Sequence, residues 1–245
     1  MLLSSIIVLT NLFGSASVDT CGARVLSYVP GGEDEVFFMS ETGTGGMPIC
    51  WPWFADLGPE SSRRHGVARY RGFEVVSESC SPSISELTLR LRSNSDTRRE
   101  FPHDFELALS VRLTDRLTVA MTAENTGKTP FSVTEAFHPY FAVCDPTKFA
   151  VDGVDAPECS IVDMAAGRVM LLGCEGGTRR VWRPNAESHL SKSVSSILPD
   201  DWKRFVCVEG GTFSGDAAYR LEPGGKHTIV CTIRVNRLDG GGYGQ

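Results

Sequence analysis

Two residues in this chain could exchange protons with a small polar substrate, and both stand at places where the backbone leaves room for one. His138 closes the run Phe131-Ser-Val-Thr-Glu-Ala-Phe-His and is followed at once by Pro139, so it falls where a strand must stop. Phe137, Tyr140 and Phe141 surround it with aromatic rings. Such walls suit a proton donor that meets an uncharged polyol; a histidine merely packed beside aromatics is the plain alternative. Glu209 ends the apolar run Arg204-Phe-Val-Cys-Val-Glu and precedes Gly210-Gly211, which predicts a strand-end carboxylate with space for a ligand to approach. Together they offer a general acid and a general base, provided the fold joins the two rims.

Two further stretches could hold a ligand. Arg63-Arg64-His65-Gly66-Val67-Ala68-Arg69 gathers three arginines in an acidic chain. Its pattern predicts a loop entering a strand, with His65 and Arg69 on one side. Guanidinium groups fit phosphate bidentately, so a clamp for an anionic substituent competes here with an ordinary solvated turn. In Gly45-Gly-Met-Pro-Ile-Cys-Trp-Pro-Trp-Phe54 two tryptophans are spent on a loop held by glycines and prolines. Trp51 and Trp53 either plug the end of a sandwich or stack on the C–H face of a pyranose.

The elements that must position these groups are nearly all strands. Leu107, Leu109, Val111 and Leu113 alternate toward one face, Thr114-Asp115-Arg116 turns the chain, and Leu117, Val119, Met121 and Ala123 return. A second hairpin follows the same rule, from Tyr219–Leu221 through Glu222-Pro-Gly-Gly225 into Thr228–Val235. Glu86–Arg92 alternates likewise, and Arg24–Tyr28 and Glu35–Met39 read as shorter strands. Short strands with Gly and Pro turns, without a long helical period or an internal repeat, predict an all-β fold in one domain over residues 1–238. The glycine-rich residues 239–245 read as a flexible tail. Met1–Ser17 lacks a basic start, its first cation being Arg24, so a first strand is expected there and not a secretory signal.

Composition narrows the partners. With 30 acidic against 24 basic residues and a formal charge of -6, the chain offers no general basic surface for nucleic acid or an anionic membrane. Eight cysteines scattered without a Cys-x-x-Cys pair read as thiols of a reducing, cytoplasmic compartment, with no metal expected. Small neutral or anionic ligands remain.

Taken in order, Gly22-Ala-Arg-Val-Leu-Ser-Tyr28, Gly45–Phe54, His65–Arg69, Phe101-Pro-His-Asp-Phe105, Glu124–Phe141, Val181-Trp-Arg-Pro184 and Pro199–Glu209 resemble the hexose-6-phosphate mutarotases, a branch of the aldose 1-epimerase family. The resemblance runs from near the start to beyond Glu209. It implies a galactose mutarotase-like supersandwich, a large antiparallel β-sandwich with a sugar cleft on one concave face. It also implies a monomer that binds a sugar or sugar phosphate and needs no cofactor. By the same resemblance His138 and Glu209 are the catalytic pair, His65 and Asp163 contact the sugar, and Arg69 serves the phosphate. Three departures stand out. Thr44 occupies a place where the family usually carries a phosphate-holding arginine, with Arg63 or Arg64 as candidate replacements. The segments Met39–Gly45 and Asp155–Arg180 are short, and Arg183 replaces the asparagine usual between Trp182 and Pro184. A mutarotase of unphosphorylated aldoses, a non-catalytic carbohydrate-binding sandwich and a purely structural sandwich are the competing functions.

Overall fold

A computed structural model describes residues 4–190 and 196–238. The expected tail, 239–245, lies outside these residues, as do the first three of the Met1–Ser17 stretch. The rest of that stretch forms two strands, Ile6–Asn11 and Gly14–Asp19, paired as a hairpin.

The largest element is an eight-stranded antiparallel sheet. Its spatial order is Phe149–Asp152, Glu158–Asp163, Arg168–Glu175, Lys226–Arg237, Leu117–Asn125, Phe105–Leu113, Ser85–Arg92 and Glu74–Cys80. Period-two alternation builds it: Leu107 pairs with Ala123, Leu109 with Met121, Val111 with Val119 and Leu113 with Leu117, all buried on one face. Each such large side chain withdrawn from water contributes about 1.5–3 kcal/mol before the entropy of ordering it is subtracted. The opposite face is wet and carries cross-strand ion pairs such as Arg92–Glu106 and Arg112–Glu86.

A second layer covers the apolar face. It contains Arg24–Pro30, paired to the N-terminal hairpin, and a smaller sheet ordered Tyr140–Ala142, Phe205–Gly211, Ala136–Phe137 and Ile49–Cys50. Thr178–Trp182 pairs along the other side of Phe205–Gly211. Alternation divides this smaller sheet by face. Phe137, Phe141, Val206 and Val208 enter the same core as Leu109 and Met121, which leaves His138, Tyr140, Cys207 and Glu209 on the outward side. The architecture is the antiparallel sandwich that the strand pattern predicts.

Local details differ from expectation. Glu35–Met39 makes only single bridges, Phe37 to Phe141 and Met39 to Gly45. Its own Glu35 carboxylate accepts from the Tyr28 and Phe37 amides and diverts the ladder. A short helix, Ser95–Glu100, appears where none is expected, capped by the Asn94 side chain accepting from the Asp96 and Thr97 amides. Among the described residues no helix is long and apolar enough to cross a membrane.

Candidate active site

Register brings the two proton-exchanging residues together. Phe137 pairs with Gly210 and Tyr140 with Cys207, so the same antiparallel phase sets His138 directly opposite Glu209. Pro139 has no amide hydrogen to give to the Phe205–Gly211 strand, while on the other side the His138 amide extends the pairing of Ala136–Phe137 with Ile49–Cys50 by donating to the Pro48 carbonyl at 2.9 Å. Glu209 lies within the strand Phe205–Gly211 and not at its end, with Arg180 as its neighbour on the other side. Directly opposed side chains sit about 5 Å apart at Cβ, and here His138 Nε2 is 2.9 Å from Glu209 Oε1. Both groups are buried, and Glu209 Oε2 and His138 Nδ1 have no hydrogen-bond partner among the described residues. An unpaired buried polar atom costs about 1–3 kcal/mol, so the pair is arranged for something other than stability.

The row Pro48, His138, Glu209 and Arg180 forms part of the lining of one cleft of about 800 Å³. One step along, Tyr140 and Trp182 both oppose Cys207 and also line it. The Tyr140 ring stacks on His138 at 5.1 Å, His65 meets it edge-on at 5.3 Å, and Trp182 lies 6.3 Å away. Three rings thus fix the imidazole plane and leave its Nε2 edge toward the carboxylate.

His65 adopts φ +64°, a left-handed backbone rarely used by a β-substituted residue. The surroundings enforce it. Its amide donates to the Ala55 carbonyl, and a Cβ on the next residue, Gly66, would fall 2.1 Å from the Trp51 carbonyl oxygen. The Ala55 amide and the Cys50 thiol both point at His65 Nδ1, each at 3.2 Å. Burial, reinforced by Arg69 and His138, lowers the pKa of His65 to about 2. The ring is therefore neutral, accepts at Nδ1 and carries its hydrogen on Nε2. It can donate a hydrogen bond but cannot act as the acid. Cys50, pushed up to about 12 by burial, stays a thiol.

Of the residues expected from sequence, His138, Glu209, His65, Arg69 and Arg64 all line this cleft. The stretch from His65 to Arg69 is not a strand entrance, however: Ala68–Tyr70 is a turn of 3₁₀ helix. Arg69 Nε donates to the Ile49 carbonyl at 3.1 Å, and Arg64 is paired with Asp56.

Trp51 and Asp163 lie elsewhere. Trp51 is fully buried and packs on Phe105 and Phe101 at 4.4 and 5.4 Å, while its carbonyl accepts from the Val67 and Ala68 amides. It pins the His65 loop from within the core and offers no face to a sugar. Trp53 is also buried and donates from its indole to the Arg63 carbonyl. Trp51→Ala should accordingly cost about 3–5 kcal/mol of stability, read by urea unfolding, while sugar affinity of the folded fraction stays near that of wild type. Asp163 is fully buried and accepts from the Cys144 and Ala166 amides, which makes it the clasp of a turn. Sequence reasoning passed over Arg180, Trp182 and Arg24 as site residues; the alternation Arg180, Val181, Trp182 carried a readable signal for the first two.

Comparison with known proteins identifies the family and the fold. Residues 5–163 match the aldose 1-epimerase family. A protein of Escherichia coli K12, provisionally named glucose-6-phosphate 1-epimerase, is 30% identical over 236 residues, covering 79% of this chain and 78% of its own. A crystal structure from Salmonella typhimurium, provisionally named a mutarotase, superimposes with a TM-score of 0.85 at 26% identity, over 96% of this chain and 91% of its own. A galactose mutarotase-like protein from Lactobacillus casei shares the fold at 16% identity and a TM-score of 0.75, over 95% of this chain and 100% of its own. The chain belongs to the aldose 1-epimerase family. It is an isomerase, a carbohydrate epimerase built on the galactose mutarotase-like sandwich.

Proposed function

We propose that the protein interconverts the α and β anomers of a hexose 6-phosphate, glucose 6-phosphate first among them, with Glu209 as base and His138 as acid. The observation that carries this assignment is the 2.9 Å contact between the two groups on the floor of an open cleft. A sugar that inserts its anomeric carbon there exchanges one direct bond for two. The Glu209 carboxylate takes the proton of the anomeric hydroxyl as that oxygen's electrons form the carbonyl. The C1–O5 bond breaks toward O5, which receives the proton of the His138 imidazolium. Rotation about C1–C2 turns the other aldehyde face inward. On reclosure O5 attacks C1 and returns its proton to His138, while protonated Glu209 reprotonates the carbonyl oxygen. Protons and electrons balance within the pair, and His65 Nε2–H is available to hydrogen-bond a sugar oxygen.

The charge of the cleft supports a phosphorylated substrate. Arg24, Arg64, Arg69 and Arg180 line it against Asp19, Asp56 and Glu209, in a chain whose net charge is -6. The name given to the E. coli relative points to the same substrate. A cytoplasmic setting, where sugar phosphates are held, suits eight cysteines that are all free thiols. Thr44 in the cleft wall, in place of the expected arginine, favours free aldose as the second candidate.

Anomer equilibration followed by polarimetry or NMR separates these. Wild-type protein should accelerate glucose 6-phosphate well above the buffer rate, with kcat/KM at least about 10-fold above that for glucose, the scale of one charge-assisted contact. Equal values for the two sugars would assign a free-sugar enzyme, and no acceleration of either would assign a binding protein.

A further inference from the structure

We infer that Arg24 is the residue that gives this cleft its preference for a phosphorylated sugar, by seating the phosphate against the turn that contains Thr44. The inference rests on the hexose-phosphate function proposed above and assigns a determinant of its specificity.

Arg24 begins the strand Arg24–Pro30, is half-buried, and lines the cleft. Its Nη1 donates to the Gly43 carbonyl at 2.8 Å. No other hydrogen bond, and no ion pair, engages its guanidinium among the described residues. A guanidinium has five N–H donors in a planar fork, so most of this one remains uncommitted. The other three arginines of the wall are differently placed. Arg64 is paired with Asp56, Arg69 donates to the Ile49 carbonyl beside the Cys50 thiol, and Arg180 lies over the Phe54 ring in the row of Glu209. Arg24 instead lines the cleft beside the turn Gly43–Gly45, to which its guanidinium is bonded, so a charged substituent of a bound sugar that reaches this turn meets it.

The turn beside it is rigid. Ser40 N donates to the Thr44 carbonyl at 2.8 Å and Gly43 N to the Ser40 carbonyl at 2.9 Å. Gly43 and Gly45 have φ of +84° and +138°, and a Cβ at Gly45 would fall 2.1 Å from the Phe38 carbonyl oxygen. Gly43, Thr44 and Gly45 all line the cleft, and among the described residues neither the amide nor the hydroxyl of Thr44 donates to anything. A planar cation fixed to one carbonyl of a stiff turn, next to two idle donors, is the donor set an oxyanion of a phosphate monoester takes. Threonine at 44 leaves the space into which a cation from the neighbouring strand can reach.

The test compares kcat/KM for glucose 6-phosphate and for glucose in wild type, Arg24→Ala, Arg24→Lys and Arg69→Ala, together with competitive inhibition by inorganic phosphate. Arg24→Ala should lower the ratio of the two specificity constants by about 10- to 100-fold, chiefly through KM for the phosphorylated sugar. The inhibition constant for inorganic phosphate should rise in parallel, with Arg24→Lys recovering part of both. Circular dichroism and a thermal melt report that each variant is folded. If wild type prefers glucose 6-phosphate and Arg24→Ala keeps that preference and its phosphate inhibition, the assignment of Arg24 is overturned while the hexose-phosphate function stands. If wild type shows no preference at all, that function fails first, and the inference with it.

Discussion

Glu209→Gln is expected to reduce kcat for anomer interconversion by about 10²- to 10⁴-fold, the usual worth of a positioned proton acceptor. KM should change little. The amide keeps the shape of the carboxylate, and its oxygen can still accept from His138 Nε2, across the 2.9 Å that now separate the pair. What is lost is the capacity to take the anomeric proton. Because the substitution removes a buried carboxylate whose second oxygen has no partner among the described residues, it should leave thermal stability unchanged or raised. Reduced turnover with retained sugar affinity by titration calorimetry and an undiminished melting temperature is the combined signature.

His138→Ala is expected to match that catalytic loss and to add a structural one. The ring is held between Tyr140 and His65 and is the only side chain within ion-pair distance of Glu209 among the described residues. Deleting it strands a buried carboxylate and opens a gap beside two aromatic faces. Breaking one side of a buried pair costs about 3–5 kcal/mol, which for a domain of this size lowers Tm by on the order of 10 °C. The contrast between the substitutions is informative. The carboxylate variant should be dead and sturdy, the imidazole variant dead and fragile. Polarimetry and a thermal melt on both proteins check it. A His138→Ala protein as stable as wild type would mean that the contact with Glu209 does not contribute to the fold's stability.

Much of this arrangement was legible in the chain. Alternation from Phe105 to Asn125 and from Thr228 to Val235 is strict, because one face of each strand meets water and the other the core, and the observed pairing follows it. His138 and Glu209 could be picked out by the breaks around them, Pro139 and Gly210-Gly211. That they stand opposite each other depends on register between segments far apart in the chain, which residue types alone do not encode.

Trp51 and Asp163 show the limit from the other side. A tryptophan in a Gly/Pro loop has the same sequence appearance whether its indole faces a sugar or Phe105; only the packing of distant strands decides. Asp163 did carry a local signal, since Asp followed within four residues by Gly167 suits a side-chain-capped turn, and its carboxylate indeed binds the amides of that turn and of Cys144. For Arg24 no local signal existed, because its significance comes from the Gly43 carbonyl across a sheet edge.

One imidazole and one carboxylate, opposed across two strands, are expected to carry the anomer exchange. Exchange NMR on glucose 6-phosphate at anomeric equilibrium, with wild type and a His138→Gln/Glu209→Gln double variant at equal concentration, tests it most directly. Strong α–β cross-peaks are expected with wild type, and a double variant no slower than either single one by more than about 3-fold, since the two act as a unit. A folded double variant that kept more than about a tenth of the wild-type exchange rate would contradict it, because that residue pair would then supply less than general acid–base catalysis normally does.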